Sequence, residues 1–225
     1  MKTLLLFSLA TTALFSADYP RVIFSDDFNA DGFGKAWKHY KSSSVVKDGV
    51  LHGITAPESD HAAVDVIRIA PERDLEVSVK FQITDAKTYG FNVWFDDKDY
   101  KGSHAGHICS ITVTKKAVNV ADAKAGTFAN DIYARKKATP PTLTAEDKAN
   151  LAKWTKSMPN SVSLNDWHTL VVRTAGDTVT VSIDGKEVGS FQSPGIAHDH
   201  KTVVSLTTSR VGVNYDDFSI KGVAK

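Results

Sequence analysis

Between residues 92 and 107 the chain collects side chains that can move protons and hold a polar ligand: Asn92, Trp94, Asp96, Asp97, Asp99, Tyr100, His104 and His107. Histidine changes charge near neutral pH and serves as a base or as a metal ligand. A carboxylate beside it can orient the ring or exchange a proton. An indole offers an apolar body that can stack on the C–H face of a sugar ring, while an amide or phenol can hydrogen-bond hydroxyls. Asp96, His104 and His107 are therefore candidate acid/base or metal groups. Asn92, Trp94 and Tyr100 are candidate sugar contacts. The plainer alternative is that the two histidines sit on a solvated loop, KGSHAGH, and that Trp94 packs beneath a neighbouring segment.

Other candidates are weaker. His198 and His200 flank Asp199, and a His-x-His pair can grip a metal, but two ligands are too few to define a site. His39, His52, His61 and His168 read as structural or surface groups. Asp26, Asp27, Asp216 and Asp217 would suit a structural calcium ion if they converged; neighbours on a strand point to opposite faces, so turn-bonding or solvated aspartates are the competing reading. No other cofactor is implied. The basic run Arg135, Lys136, Lys137 reads as a solvated surface that could also favour an acidic ligand. Cys109 alternates with Ile111 and Val113 and reads as a buried, inert thiol, because reactive thiols need an exposed electropositive setting.

Several chemistries are absent from the sequence. It holds no Gly-x-Ser-x-Gly elbow, no His-Glu-x-x-His helix and no glycine-rich phosphate loop. The Glu-x-Asp-x-x-Glu or Glu-x-Asp-x-Glu strand of family 16 glycoside hydrolases is missing too, so a two-carboxylate glycosidase mechanism has no obvious carriers. The formal net charge of +1 lacks the basic excess of a nucleic-acid binder.

Strands must position these groups. In 89–100, Phe91, Val93 and Phe95 alternate with Asn92, Trp94 and Asp96, which gives a core strand with one wet face. Before it, Leu75, Val77, Val79, Phe81 and Ile83 alternate with Glu76, Ser78, Lys80 and Gln82, the pattern of a half-buried antiparallel strand. The short link suggests that these two strands pair. Their polar faces would then adjoin, adding Lys80 and Gln82 to the candidate sugar contacts. Asp48-Gly49 and Asp184-Gly185 are hairpin turns, and SDDF near the start should partner YDDF near the end. Residues 122–165 are polar and Lys/Ala-rich. Within them 144–156 reads as a helix capped by Thr144 and Asp147, with Leu151, Trp154 and Met158 as its apolar stripe and Trp154 as its anchor. At least ten strands with one helix indicate an all-β sandwich with a short helical insertion.

The N-terminus reads as an export signal. Lys2 precedes an apolar run over residues 4–15, about a dozen residues where a bilayer span needs about 20. Residues 1–17 are therefore set aside, and 18–225 is expected to be one secreted or periplasmic domain, a monomer without a membrane span. With one cysteine it can form no intrachain disulfide.

The opening DDFN, the stretch V-x-DGVLHG, the strand DLEVSVKF, and IDGK followed by a closing YDDFSI resemble the bacterial 3-keto-disaccharide hydrolase-like domain of the concanavalin A-like lectin/glucanase superfamily. The resemblance runs from about residue 24 to 220. It implies a concanavalin A-like jelly roll of two antiparallel sheets with a carbohydrate site on the concave face. It also implies action on a glycoside or 3-keto-glycoside, whose keto group acidifies the C2 proton so that a base can remove it and the glycosidic oxygen can leave. Hydrogen-bond donors or a cation would stabilise the enolate. Three readings stay open: an exported 3-keto-glycoside hydrolase or lyase, a lectin-like module that binds without catalysis, and an envelope protein that makes protein contacts.

Overall fold

The structure, a computed structural model, describes residues 18–209 and 212–225; the segment read as an export signal lies outside the described residues. The strands are β1 Arg21–Asp26, β2 Trp37–Tyr40, β3 Val45–Lys47, β4 Val50–Gly53, β5 Ala63–Glu72, β6 Leu75–Ile83, β7 Gly90–Asp96, β8 His107–Thr114, β9 Ala117–Asp122, β10 Thr155–Pro159, β11 His168–Ala175, β12 Thr178–Ile183, β13 Lys186–Gln192, β14 Lys201–Thr208 and β15 Val213–Gly222. Two α-helices, α1 Asn130–Lys137 and α2 Ala145–Leu151, lie between β9 and β10.

All strand pairs are antiparallel and make two sheets. The first runs β13-β12-β11-β6-β15-β4-β3, with β1 also on β15; the second runs β10-β9-β8-β7-β14-β5-β2. The alternation in the sequence decides which side chains go between them. Val77, Val79 and Phe81 of β6 and Phe91, Val93 and Phe95 of β7 are all fully buried. Phe81 and Phe91 meet across the layer with ring centroids 4.9 Å apart. Each such apolar side chain taken from water contributes about 1.5–3 kcal/mol. Packing the two sheets face to face buries both apolar faces at once.

This corrects the expected pairing of β6 with β7. β6 lies between β11 and β15, and β7 lies between β8 and β14. The link between them arches from one sheet to the other, held by Thr84 N–H on the Gly212 carbonyl at 2.6 Å. The apolar faces of the two strands therefore oppose, and their polar faces point to opposite sides of the molecule.

The chain ends come together as SDDF and YDDF suggest, with Asp26 opposite Phe218 and Ser25 opposite Ser219. Trp37 seals this region against Phe24, Phe28 and Phe218, and its indole N–H donates to Asp26 Oδ2 at 2.8 Å. The hairpin at Asp48-Gly49 has positive φ at both residues, 54° and 76°, the turn whose twist matches the strands it joins.

The helix expected over 144–156 is shorter. Its capping box is present: Asp147 N–H donates to Thr144 Oγ1 at 3.1 Å, and Thr144 N–H donates to Asp147 Oδ2 at 2.8 Å. It stops at Leu151, one 3-10 turn follows, and 155–159 extends to pair with β9. Met158 is thus a buried core residue of an edge strand and not part of a helical stripe. Burying Met158 against the sandwich outweighs the weak helical propensity of the segment. Trp154 sits over Gly126, where a Cβ would come 3.0 Å from the Trp154 Cβ. No helix among the described residues is long and apolar enough to cross a membrane.

Candidate active site

The outer face of the second sheet is polar where its centre crosses β7. Trp94 is flanked by Ser110 of β8 and Ser205 of β14, and Asn92 by Thr112 and Thr207. The Thr112 hydroxyl donates to the Asn92 amide oxygen. Sequence alternation produces this floor: the residues between, Val93, Phe95, Ile111, Val204 and Leu206, are fully buried in the apolar core. Above it lies a groove of about 470 Å³, walled on one side by Asp60, His61 and Ala62 and on the other by His104, Phe128, Tyr133, Lys136 and Lys137.

The second wall comes from the insertion. Its approach to the sheet is stitched to the loop before β8, with His104 N–H donating to the Phe128 carbonyl at 2.7 Å and Asn130 Nδ2 to the Lys101 carbonyl at 2.6 Å. His104 stacks on Tyr133 with centroids 3.8 Å apart and planes 11° from parallel. Burial, then the positive charges of His107 and Lys137, push His104 below the usual histidine range. With Phe128 and Tyr133 it makes an aromatic wall.

His107 is the central group. Its Nδ1 lies 2.8 Å from Asp96 Oδ1. Its ring is held between Trp94, 4.4 Å away, and the edge of Phe128, 4.7 Å away. Among the described residues Nε2 has no hydrogen-bond partner, and the ring lines the groove. Burial raises the Asp96 carboxyl above the usual carboxylate range, with the hydrogen bond to His107 opposing it. When Asp96 is ionised it accepts Nδ1–H, which fixes the tautomer that leaves Nε2 as a base. The pair sits on a polar floor beside aromatic walls, with one ring nitrogen tied to a carboxylate and the other facing the groove.

The groove collects Asn92, Trp94, Asp96, His104 and His107 but not the other three candidates. Lys80 and Gln82 lie on the opposite sheet. Lys80 pairs with Asp217, and Gln82 bonds the Asn165 carbonyl and Asn214. Tyr100 packs against His198, 5.1 Å between centroids, and is not part of the groove wall. His198 itself is tied through Nε2 to Asp97 Oδ2 at 2.8 Å. Burial of Asp97 acts upward on its carboxyl, but the bonds from His198, the Asp99 amide and Thr202 outweigh it and hold it below the usual range.

The four terminal aspartates are engaged separately. Asp26 accepts from Trp37 and the Phe28 amide, Asp27 from the Asn29 amide, Asp216 from the Asp217 amide, and Asp217 pairs with Lys80. Among the described residues no group of three or more His, Cys, Asp or Glu is placed to hold a metal. Cys109 is fully buried, and its thiol is pushed up to about 12.

Phe128, Tyr133, Ser205, Thr207, Asp60 and His61 join the site without having been singled out for it. Ser205 and Thr207 were readable as the polar phase of VVSLTT, but only strand order puts that phase beside Asn92 and Trp94.

Fold and groove define a jelly-roll domain of two antiparallel sheets with a groove on one outer face. The chain belongs to the family of 3-keto-alpha-glucoside-1,2-lyase-like domains, whose profile matches residues 23–221. Among solved structures it is similar to a sialidase, with TM-score 0.62 and 11% identity over 89% of this chain; it spans only 18% of that protein's length. It is similar to SCLam, a non-specific endo-beta-1,3(4)-glucanase of family GH16, with TM-score 0.59 and 11% identity over 92% of this chain and 94% of that one. The carbohydrate-binding module CBM66 from Bacillus subtilis gives 0.52 and 13% over 83% and 96%. No curated protein matches the chain by sequence.

Proposed function

We propose that this is an exported enzyme that cleaves 3-keto-glycosides, with His107 as the general base. The observation that carries this is the His107–Asp96 pair at 2.8 Å, on the floor of a groove walled by Trp94, Phe128 and Tyr133. The keto group of such a sugar makes the C2 proton acidic. His107 Nε2 takes that proton, and the C2–H electron pair becomes the C2–C3 double bond of an enolate. When the enolate collapses, the C3 carbonyl re-forms, a C1–C2 double bond forms and the C1–oxygen bond breaks. The departing oxygen takes back the proton held by His107. Water adding across C1–C2 would complete hydrolysis. The enolate oxygen needs donors, and the Asn92 amide and the Ser205 and Thr207 hydroxyls are the groups on the floor able to supply them.

This chemistry needs one base and not two free carboxylates. The two carboxylates lining the groove are both committed, Asp60 to Lys41 and Asp96 to His107. Trp94, packed against His107 and lining the groove, is the surface for the sugar ring.

A second reading, a lectin-like module without catalysis, is favoured by the aromatic wall and by the likeness to a carbohydrate-binding module. One experiment separates the two. Purified protein is incubated with an aryl 3-keto-glucoside and release of the aryl alcohol is followed, while binding of the unoxidised glucoside is titrated. The enzyme reading expects turnover that Trp94→Ala weakens mainly through KM. Binding without any turnover would reject it in favour of the module.

A further inference from the structure

We infer that the groove selects glycosides bearing a negatively charged substituent, and that Lys136 and Lys137 read that charge; the inference rests on the groove being a sugar site. The charged groups on its walls are Asp60, Asp96, Lys136 and Lys137, with His61, His104 and His107. Both carboxylates are already matched, Asp60 by Lys41 and Asp96 by His107. Neither lysine is. Among the described residues no carboxylate lies within ion-pair distance of either, and Lys137 Nζ is 5.7 Å from the centroid of Tyr133.

The rest of the basic run is accounted for. Arg135 makes two parallel bonds to Asp147, 2.7 and 2.9 Å, and its charge is consumed in joining α1 to α2. A basic last turn suits the negative end of a helix, which accounts for lysines at this end of α1 but not for two of them lining the groove. The Lys137 charge is felt along this wall, where it adds to burial and to the neighbouring His107 in lowering His104. The groove thus carries an unmatched positive wall facing a hydroxyl-rich floor. A carboxylate or sulfate on a sugar ring stacked at Trp94 would meet that wall, and the flexible ammonium groups adapt to either anion.

The test compares binding of methyl glucoside, methyl glucuronoside and methyl glucoside 6-sulfate to the intact protein and to the double variant Lys136→Gln/Lys137→Gln, by NMR titration at low and high salt. Both positions are exposed, so the variant keeps the fold. The expected result is that at least one charged ligand binds about tenfold more tightly than the neutral one at low salt. That preference should shrink at high salt and vanish in the double variant, with neutral affinity unchanged. Comparing the glucuronoside with the sulfate tells which anion the wall prefers. Equal binding of all three, or a preference that survives in the variant, would overturn the inference and leave the sugar site standing. If none of the three binds, both the inference and the sugar reading fail.

Discussion

His107 and Asp96 pull in opposite directions on stability and activity. Asp96 is buried, and burial raises its carboxyl above the value near 3.9 of an unfolded chain. The folded state therefore holds this proton to higher pH than the unfolded state does. The strain of the buried charge is relieved as pH falls through the raised value and fully present above it. The proposed mechanism needs the charged form, because the carboxylate holds Nδ1–H and so keeps Nε2 free as the base. The acid limb of kcat/KM should accordingly fall above the ordinary carboxylate range. Asp96→Asn should be at least as stable as the parent at neutral pH in thermal melts while losing about 100-fold or more in kcat. A destabilised variant with unchanged kcat would contradict this assignment. These residues were legible as types and spacing, since Asp96 falls on the wet phase of β7 and His107 follows at a strand start. Lys80, Gln82 and Tyr100 were misplaced for a single reason. Alternation tells which face a residue takes within its strand, but not which sheet the strand joins or how a loop folds back.

At the scale of elements, the insertion is the part that makes a groove out of a flat sheet. Phe128, Tyr133 and both lysines stand on α1 or the turn before it, and α1 is held by Arg135 bonding to Asp147 at the start of α2. Asp147 in turn depends on the Thr144 cap. Thr144→Ala should cost about 1 kcal/mol locally. Hydrogen exchange should quicken across α1 and α2 and stay unchanged in the sheets, and KM should rise with kcat preserved. Faster exchange confined to α2 would show that the two helices are not coupled as described. The capping box made α2 visible in the sequence. α1 was not, because its eight residues have no buried face and no side-chain cap, so neither periodicity nor a start signal marks them. The early end of α2 was hidden for the opposite reason: Met158 fits a helical stripe in the sequence, and only the neighbouring edge of β9 draws it into a strand.

Across the whole molecule, period-two alternation was strong enough to specify an all-β sandwich, since β6, β7, β11 and β12 each bury every second residue. What alternation left open was the order of strands, in which β14 returns from a distant part of the chain to lie between β7 and β5. Cys109 reports on this core. It is fully buried between the sheets and its thiol is raised to about 12. A thiol reagent should label it only as fast as the sandwich opens globally, with labelling rates that track unfolding in denaturant. Rapid labelling of the native protein would mean that the sheets do not pack as described. The most direct test of the account concerns the site this core supports: turnover of an aryl 3-keto-glucoside by the parent protein and by His107→Ala, with circular dichroism confirming equal folding. The account predicts that the parent releases the aryl alcohol and that the variant is slower by about 100- to 10,000-fold; a folded variant that turns over at the parent rate would contradict it.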